Sequence, residues 1–416
     1  VLACNLIKRK TFSLASLSNE VDVKDRILSG FTDELSGKID SKLSNDFIQK
    51  ILSYISALSP LGYESMKIDP QFVSATEEKE NEVNECIADL LHAGLLIERG
   101  GQIRISPDVL SDCILERVCY LKNGFPSNYF NTLFEKVVGK PRNNLLKNIS
   151  ELDWRKKNAE LTSSVLLNGF WSQFKKDSSA DLAVISERLE TVKSLAYYQP
   201  IESYEVLLHA IDSLSKISHE GRDYRFSSSI SSIVDICRDI IFAGYNVEEL
   251  MMTLWDLGKG DTRNLNPNPE HPIRRLGDLC SYERNFPIAL YEKTLSGLRG
   301  IINKYDSSRD HHEPISMLGG FLAKTSSSTF SEGHTITISP FHVSFENTKH
   351  IRSQVFEILK NLALSADLKV AYLAVKEISE AATPPYGMMG LETPRKQLQV
   401  WHSEITHAIN LLVEVY

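Results

Sequence analysis

No stretch of the 416-residue sequence approaches the roughly 18 apolar residues of a membrane-crossing helix. A secretory signal is also missing, because Lys8, Arg9 and Lys10 follow the apolar start instead of preceding an apolar core. Glycine and proline are sparse, at 21 and 15 residues, which excludes collagen-like and broadly disordered classes. Positive charge is in deficit: 46 basic residues against 54 acidic ones give a net charge of −8. No chain-wide field therefore draws nucleic acid or anionic lipid. None of the six cysteines belongs to a C-x-x-C pair, and each sits in or beside an apolar stretch, as buried thiols do. That usage predicts a reducing, cytoplasmic setting.

Motifs whose chemistry demands fixed spacing are absent as well. The Gly-Lys pairs at 37–38, 139–140 and 258–259 do not end a G-x-x-x-x-G-K-[ST] loop, whose amides and lysine would cradle phosphates. Neither H-E-x-x-H nor G-x-S-x-G occurs. His311, His312 and Glu313 are adjacent, so their side chains diverge, and they read as a solvated loop, not a metal site. His402 and His407, near Trp401, read as packing residues. The sequence thus names no catalytic residue, metal ligand or cofactor of its own.

What is present is an ordinary globular composition, 42% hydrophobic and 24% charged, long enough for two to four domains. Its most informative stretch is 46–122. Phe47, Ile48, Ile51, Leu52, Ile55 and Leu58 recur at helical spacing, and Pro60-Leu61-Gly62 ends that helix. A second helix is predicted over 77–92 on the stripe Val83, Ile87, Leu90 and Leu91. The period then shortens: 95–99 and 102–105 read as strands around Gly100-Gly101, a pair suited to the positive φ angles of a tight hairpin. Ser106 is placed to cap the next helix with Pro107 at its first position, ahead of Val109, Leu110, Cys113, Ile114 and Val118. Helix, helix, two-stranded wing and helix describe a winged helix-turn-helix. Residues 46–122 hold 13 acids against 7 bases, and Glu77, Glu78, Glu80, Glu82 and Glu85 crowd the helix that would enter a major groove. DNA contact would set like charges together, so an intramolecular role is expected.

The segments 53–62 and 90–96, the Gly-Gly wing, and the run Arg104-Ile105-Ser106-Pro107-Asp108-Val109-Leu110-Ser111-Asp112 carry a resemblance. Together they resemble the winged helix that follows the nucleotide-binding module in prokaryotic STAND NTPases, especially the antiviral (Avs-like) pattern-recognition group. The resemblance implies that 1–45 are the last helices of an ATPase module, 46–123 a winged-helix domain and 124–416 a helical repeat sensor domain. It implies a P-loop upstream of Val1, with ATP or ADP and Mg bound in the full-length protein, and self-association through that ATPase. In the family a winged-helix residue, often a histidine, reads the nucleotide diphosphate. This sequence has no Met-His-Asp tripeptide. Asp108 or the Ser106 amide stands at the corresponding place, and helix capping accounts for both without any nucleotide.

From Phe125 onward amphipathic helices are predicted over 128–138, 163–174, 181–198, 201–217, 230–242, 247–257, 273–280, 287–304, 351–364, 368–381 and 397–415. Helix pairs recurring every 35–45 residues or so suggest an irregular α-solenoid of HEAT-like or tetratricopeptide-like form, a compact bundle being the alternative. The fold class expected is mainly α. Two segments interrupt the helices. Residues 324–333 read as a polar loop or disordered insertion, followed by a short strand or hairpin around Pro340; 261–272 read as a long connecting turn.

Taken with the resemblance, the expected function is the sensor and regulatory portion of an antiviral STAND NTPase. Its solenoid would bind a phage or other invader protein. Exposed members of Trp255, Arg274, Arg275, Tyr282, Phe341 and Tyr386 are the candidate contacts, since aromatic and arginine residues dominate interface energetics. A STAND-type transcriptional regulator that binds DNA is the rival, and an enzyme with an unrecognised site the third reading. No membrane partner is expected.

Overall fold

The computed structural model describes residues 43–157, 160–176, 181–217, 224–284, 286–332, 335–385 and 395–415. Tyr386 and nearly all of the expected ATPase-module helices at 1–45 lie outside the described residues. The protein is mainly α-helical, with two small antiparallel sheets among the described residues. It divides into two compact units, Val1–Ser179 and Ala180–Tyr416. The helices between 129 and 176 thus group with the N-terminal unit, whereas the sequence reading joined them to 124–416.

The first unit is built around helix α1, Asn45–Leu58, whose N-terminus is capped by the Ser44 hydroxyl. Every residue from Ile51 to Leu58 is buried, so neighbours cover the helix on all sides. Strand β1, Leu61–Glu64, and the short β2, Lys67–Ile68, lead to helix α2, Pro70–Thr76, capped by Asp69 with Pro70 at its first position. Helix α3, Glu80–His92, buries Val83, Cys86, Ile87 and Leu90. Strands β3, Leu96–Arg99, and β4, Gln102–Ile105, form the expected hairpin. Gly100 and Gly101 turn it at φ 60° and 69°, a conformation that a side chain would strain. The sheet order is β2-β1-β4-β3, with Leu61 opposite Ile103 and Leu96 opposite Ile105. Helix α4, Asp108–Cys119, then packs on α1. Its N-cap is Pro107 and makes no side-chain cap bond. The anticipated Ser106 cap is therefore replaced by a start one residue later.

Helices α5, Tyr129–Lys136, α6, Gly139–Lys156, and α7, Asn168–Lys176, complete this unit. The longest of them, α6, is held by polar groups. Asn144 donates to the carbonyls of Leu58 and Pro60, and Asn148 to those of Ala57 and Ser59, which closes the C-terminal end of α1. Arg155 pairs with Asp112 and Lys156 with Glu116, both on α4.

In the second unit, α8, Leu182–Lys193, packs on α10, Tyr224–Phe242, beside α9, Pro200–Ser215. Helix α11, Val247–Gly258, packs on α12, Pro272–Leu279, and on α13, Ile288–Ile302. Gly297 sets the α11–α13 separation, because an added Cβ there would stand 2.7 Å from Met251 Sδ. A 3-10 turn, Pro314–Met317, and the short α14, Leu318–Leu322, lead to an antiparallel ribbon of β5, Thr325–Glu332, and β6, Thr335–His342. Most of the segment read as a polar loop is therefore a strand. Pro340 lies inside β6, opposite Ser327, and not at the turn. A two-stranded ribbon tolerates it because each strand keeps one edge that needs no amide donor. Helices α15, Phe345–Ala363, α16, Leu368–Ala381, and α17, Arg395–Val415, close the unit by packing on one another.

Candidate functional site

The two tentative nucleotide-contact residues are engaged locally or exposed. The Ser106 amide donates to the Leu95 carbonyl at 2.9 Å. Asp108 is exposed and lies 3.8 Å from Arg104, a separation that contributes little at the surface. The acids around α3 are largely bridged to lysines: Glu77 to Lys136, Glu78 to Lys50, Glu80 to Lys67 and Glu82 to Lys79. Three of those bridges join separate elements of the first unit. The Lys136 pairing also holds the Glu77 carboxyl below its ordinary range.

Of the partner-binding candidates, two belong to the core. Trp255 is 1% exposed and Tyr282 4% exposed, and the Tyr282 hydroxyl donates to the Phe321 carbonyl at 3.0 Å. Both leave the set of surface contacts, because Trp255 lies on the buried face of α11 and Tyr282, in the connection after α12, packs against Tyr291 and Phe321. Arg274 donates to the carbonyls of Leu265 and Asn266 and so ties down the 261–272 turn. Arg275 lies 3.4 Å from Asp235, which also holds Lys193 and Arg238. The two arginines are thus occupied within the chain. Phe341 is half-buried with the Arg284 guanidinium 5.6 Å from its ring centre, and this aromatic–arginine pair stays a surface candidate.

His271 and His312 meet at the same turn, whereas His402 and His407 lie on α17. His271 is fully buried, and its Nδ1 accepts from the Ile273 amide to cap α12. Burial pushes its pKa down, so the neutral ring is favoured, even though Asp261 opposes the shift. His312 Nε2 lies 2.6 Å from the Asp261 carbonyl. Among the described residues no group of three His, Cys, Asp or Glu side chains is placed to hold a metal ion.

A cluster of buried charged side chains in the second unit was missed by the sequence reading. Arg352, 1% exposed, is bound by the Glu404 carboxylate at 2.5 Å and donates to the carbonyls of Phe321, Leu322 and Ala323. Its guanidinium also lies 4.6 Å from the Trp401 ring centre. Beside it, the segment 316–325 and the end of α16 enclose a cleft of about 640 Å³. Lys324 and Glu377 line it, 7% and 4% exposed. The Lys324 ammonium donates to the carbonyls of Ala381 and Thr383, and burial lowers its pKa to about 8. Burial raises the Glu377 pKa to about 7, helped by Glu380 and opposed by Lys376. A signal for these residues does exist in the sequence. Glu377 falls on the stripe Leu373, Ala374, Ile378 and Ala381, and Glu404 on the stripe Trp401, Ala408 and Leu411, both otherwise apolar.

No family model and no curated protein matches the chain. Among solved structures, the crystal structure of an engineered protein aligns over 92% of both chains at 13% identity and a TM-score of 0.25. That degree of likeness supports no conclusion about fold or function.

Proposed function

We propose that this chain is the sensor and regulatory portion of a prokaryotic antiviral STAND NTPase. In this reading residues 46–123 are a winged helix-turn-helix, and the helices after it form an irregular α-solenoid that recognises an invader protein. Binding would release a closed state and allow the nucleotide-bound full-length protein to self-associate. The observation that carries the reading is the element order at the start of the first unit, α1-β1-β2-α2-α3-β3-β4-α4, with a glycine-turned hairpin and an acidic third helix. The lysine bridges at Glu77 and Glu78, just ahead of that helix, and at Glu80 in its first turn support an intramolecular use of this acidic segment. For the solenoid, support comes from packing that links elements mostly near one another in chain order. We place the strongest partner contact at Phe341 and Arg284, where an arginine and a partly exposed aromatic meet.

The rival reading, a DNA-binding transcriptional regulator, asks an acidic helix to approach phosphates. Fluorescence anisotropy with labelled duplex DNA separates the two. The expected result is no saturable binding at physiological salt. Nanomolar affinity that falls steeply with added salt would transfer the winged helix to DNA recognition.

A further inference from the structure

We propose that the cleft between residues 316–325 and the C-terminal end of α16 binds an organic cation, an ammonium or guanidinium on an aliphatic stem, with Glu377 as its carboxylate partner. The inference is independent of the antiviral reading. It starts from a side chain that is 4% exposed yet lines a cleft of about 640 Å³. Among the described residues, Glu377 has neither a hydrogen-bond donor nor an ion-pair partner, and Lys376 and Glu380 act on it only through space. An unpaired carboxylate with most of its surface removed from water, its oxygens facing only the cleft, favours neutralisation or a counter-charge.

The neighbouring cations are committed elsewhere. Lys324 spends its ammonium on the carbonyls of Ala381 and Thr383. Arg352 is taken by Glu404 and three carbonyls of the 321–323 segment. Lys376 reaches only Glu380, at 3.7 Å at the exposed rim of the cleft. The Glu377 carboxylate takes its present position because residue 319 is glycine. A Cβ there would stand 2.2 Å from Glu377 Oε2. Leu322, Ala323, Ala381, Pro384 and Pro385 supply apolar wall for a methylene stem.

A bound cation favours the ionised carboxylate, so affinity follows the ionisation of Glu377. Its pKa near 7 means that affinity rises as the pH climbs from 6 to 8. The other titratable groups lining the cleft are Lys324, Lys376 and Glu380. Lys324 begins to lose its charge near pH 8, which acts in the same direction.

The test is a calorimetric titration of the intact chain with agmatine, and in parallel with a capped tripeptide carrying one central arginine. Binding of agmatine alone identifies a small free cation as the occupant, and binding of both identifies a polypeptide side chain. Either result supports the site. Affinity is expected to rise about tenfold between pH 6 and pH 8 as the ionised fraction grows. Glu377→Gln is expected to weaken binding roughly thirtyfold, the scale of one charge-assisted contact. Gly319→Ala weakens it too, by moving the carboxylate, whereas Glu380→Gln at the rim changes it by less than about threefold. Should Glu377→Gln melt early, the pH dependence of the unaltered chain decides. The absence of saturable binding by both probes at pH 8, a pH-independent affinity, or a Gln variant that binds like the parent would overturn the proposal.

Discussion

Replacing Arg352 with alanine lowers the stability of the C-terminal unit by about 3–5 kcal/mol, the range for breaking a buried ion pair from one side. The guanidinium is the common partner of Glu404, of the carbonyls at Phe321, Leu322 and Ala323, and of the Trp401 ring. Its removal leaves a carboxylate that is 6% exposed without its ion-pair partner. It also orphans carbonyls at the end of α14, which no water replaces without opening the packing. The double variant Arg352→Met, Glu404→Gln is expected to recover a large part of the loss, because a pair removed together leaves no uncompensated charge. Urea denaturation followed by tryptophan fluorescence reads both, with Trp401 as a local reporter. A single-variant loss under about 1 kcal/mol would show that the network is solvated and that the packing of α15 on α17 does not depend on it.

Asp153→Ala is expected to destabilise the N-terminal unit by about 3 kcal/mol, since several charge-assisted hydrogen bonds disappear at once. Asp153 is fully buried. Its carboxylate accepts from the Ser164 hydroxyl and from the amides of Val165 and Leu166, and Lys157 lies 3.4 Å away. Those bonds fix the segment that delivers α7, and Ser164 passes the order on by accepting from the Leu167 amide. Trp171, Phe170 and Phe174 of α7 then stack among themselves, with Phe134 of α5 against Phe170. Asp153→Asn retains an acceptor and should lose less than the alanine variant. Equal losses in the two would assign the whole effect to the ionised carboxylate, whereas an asparagine variant as stable as the parent would show that the charge contributes nothing.

Legibility in the sequence followed the source of each element's stability. The hairpin at Gly100-Gly101 was readable because its turn demands a residue type. Helix α6 was not, because its neighbours are bound through Asn144, Asn148, Arg155 and Lys156, and these polar residues dilute the apolar stripe of Leu145, Leu146, Ile149 and Leu152. Strand β1 hid behind Pro60 and Gly62, which read as a turn although Leu61 and Tyr63 alternate inward. The start of α10 was placed late because Ser227, Ser228 and Ser229 carry no apolar signal. For the candidate site, the reliance on aromatic and arginine residue types selected Trp255 and Tyr282, which the core absorbs, since type does not distinguish a buried ring from an exposed one. The charged residues on apolar stripes, Arg352, Glu377 and Glu404, are the buried polar groups that a choice by residue type overlooked.

The measurement that bears most directly on the sensor reading is a calorimetric titration of a panel of purified phage proteins. Each is run against the whole chain and against a truncated chain ending at Ser179, the limit of the first compact unit. The account predicts that one panel protein saturates the whole chain with submicromolar affinity and gives no heat with the truncated one. No binding across the panel, or equal affinity for both chains, would contradict it.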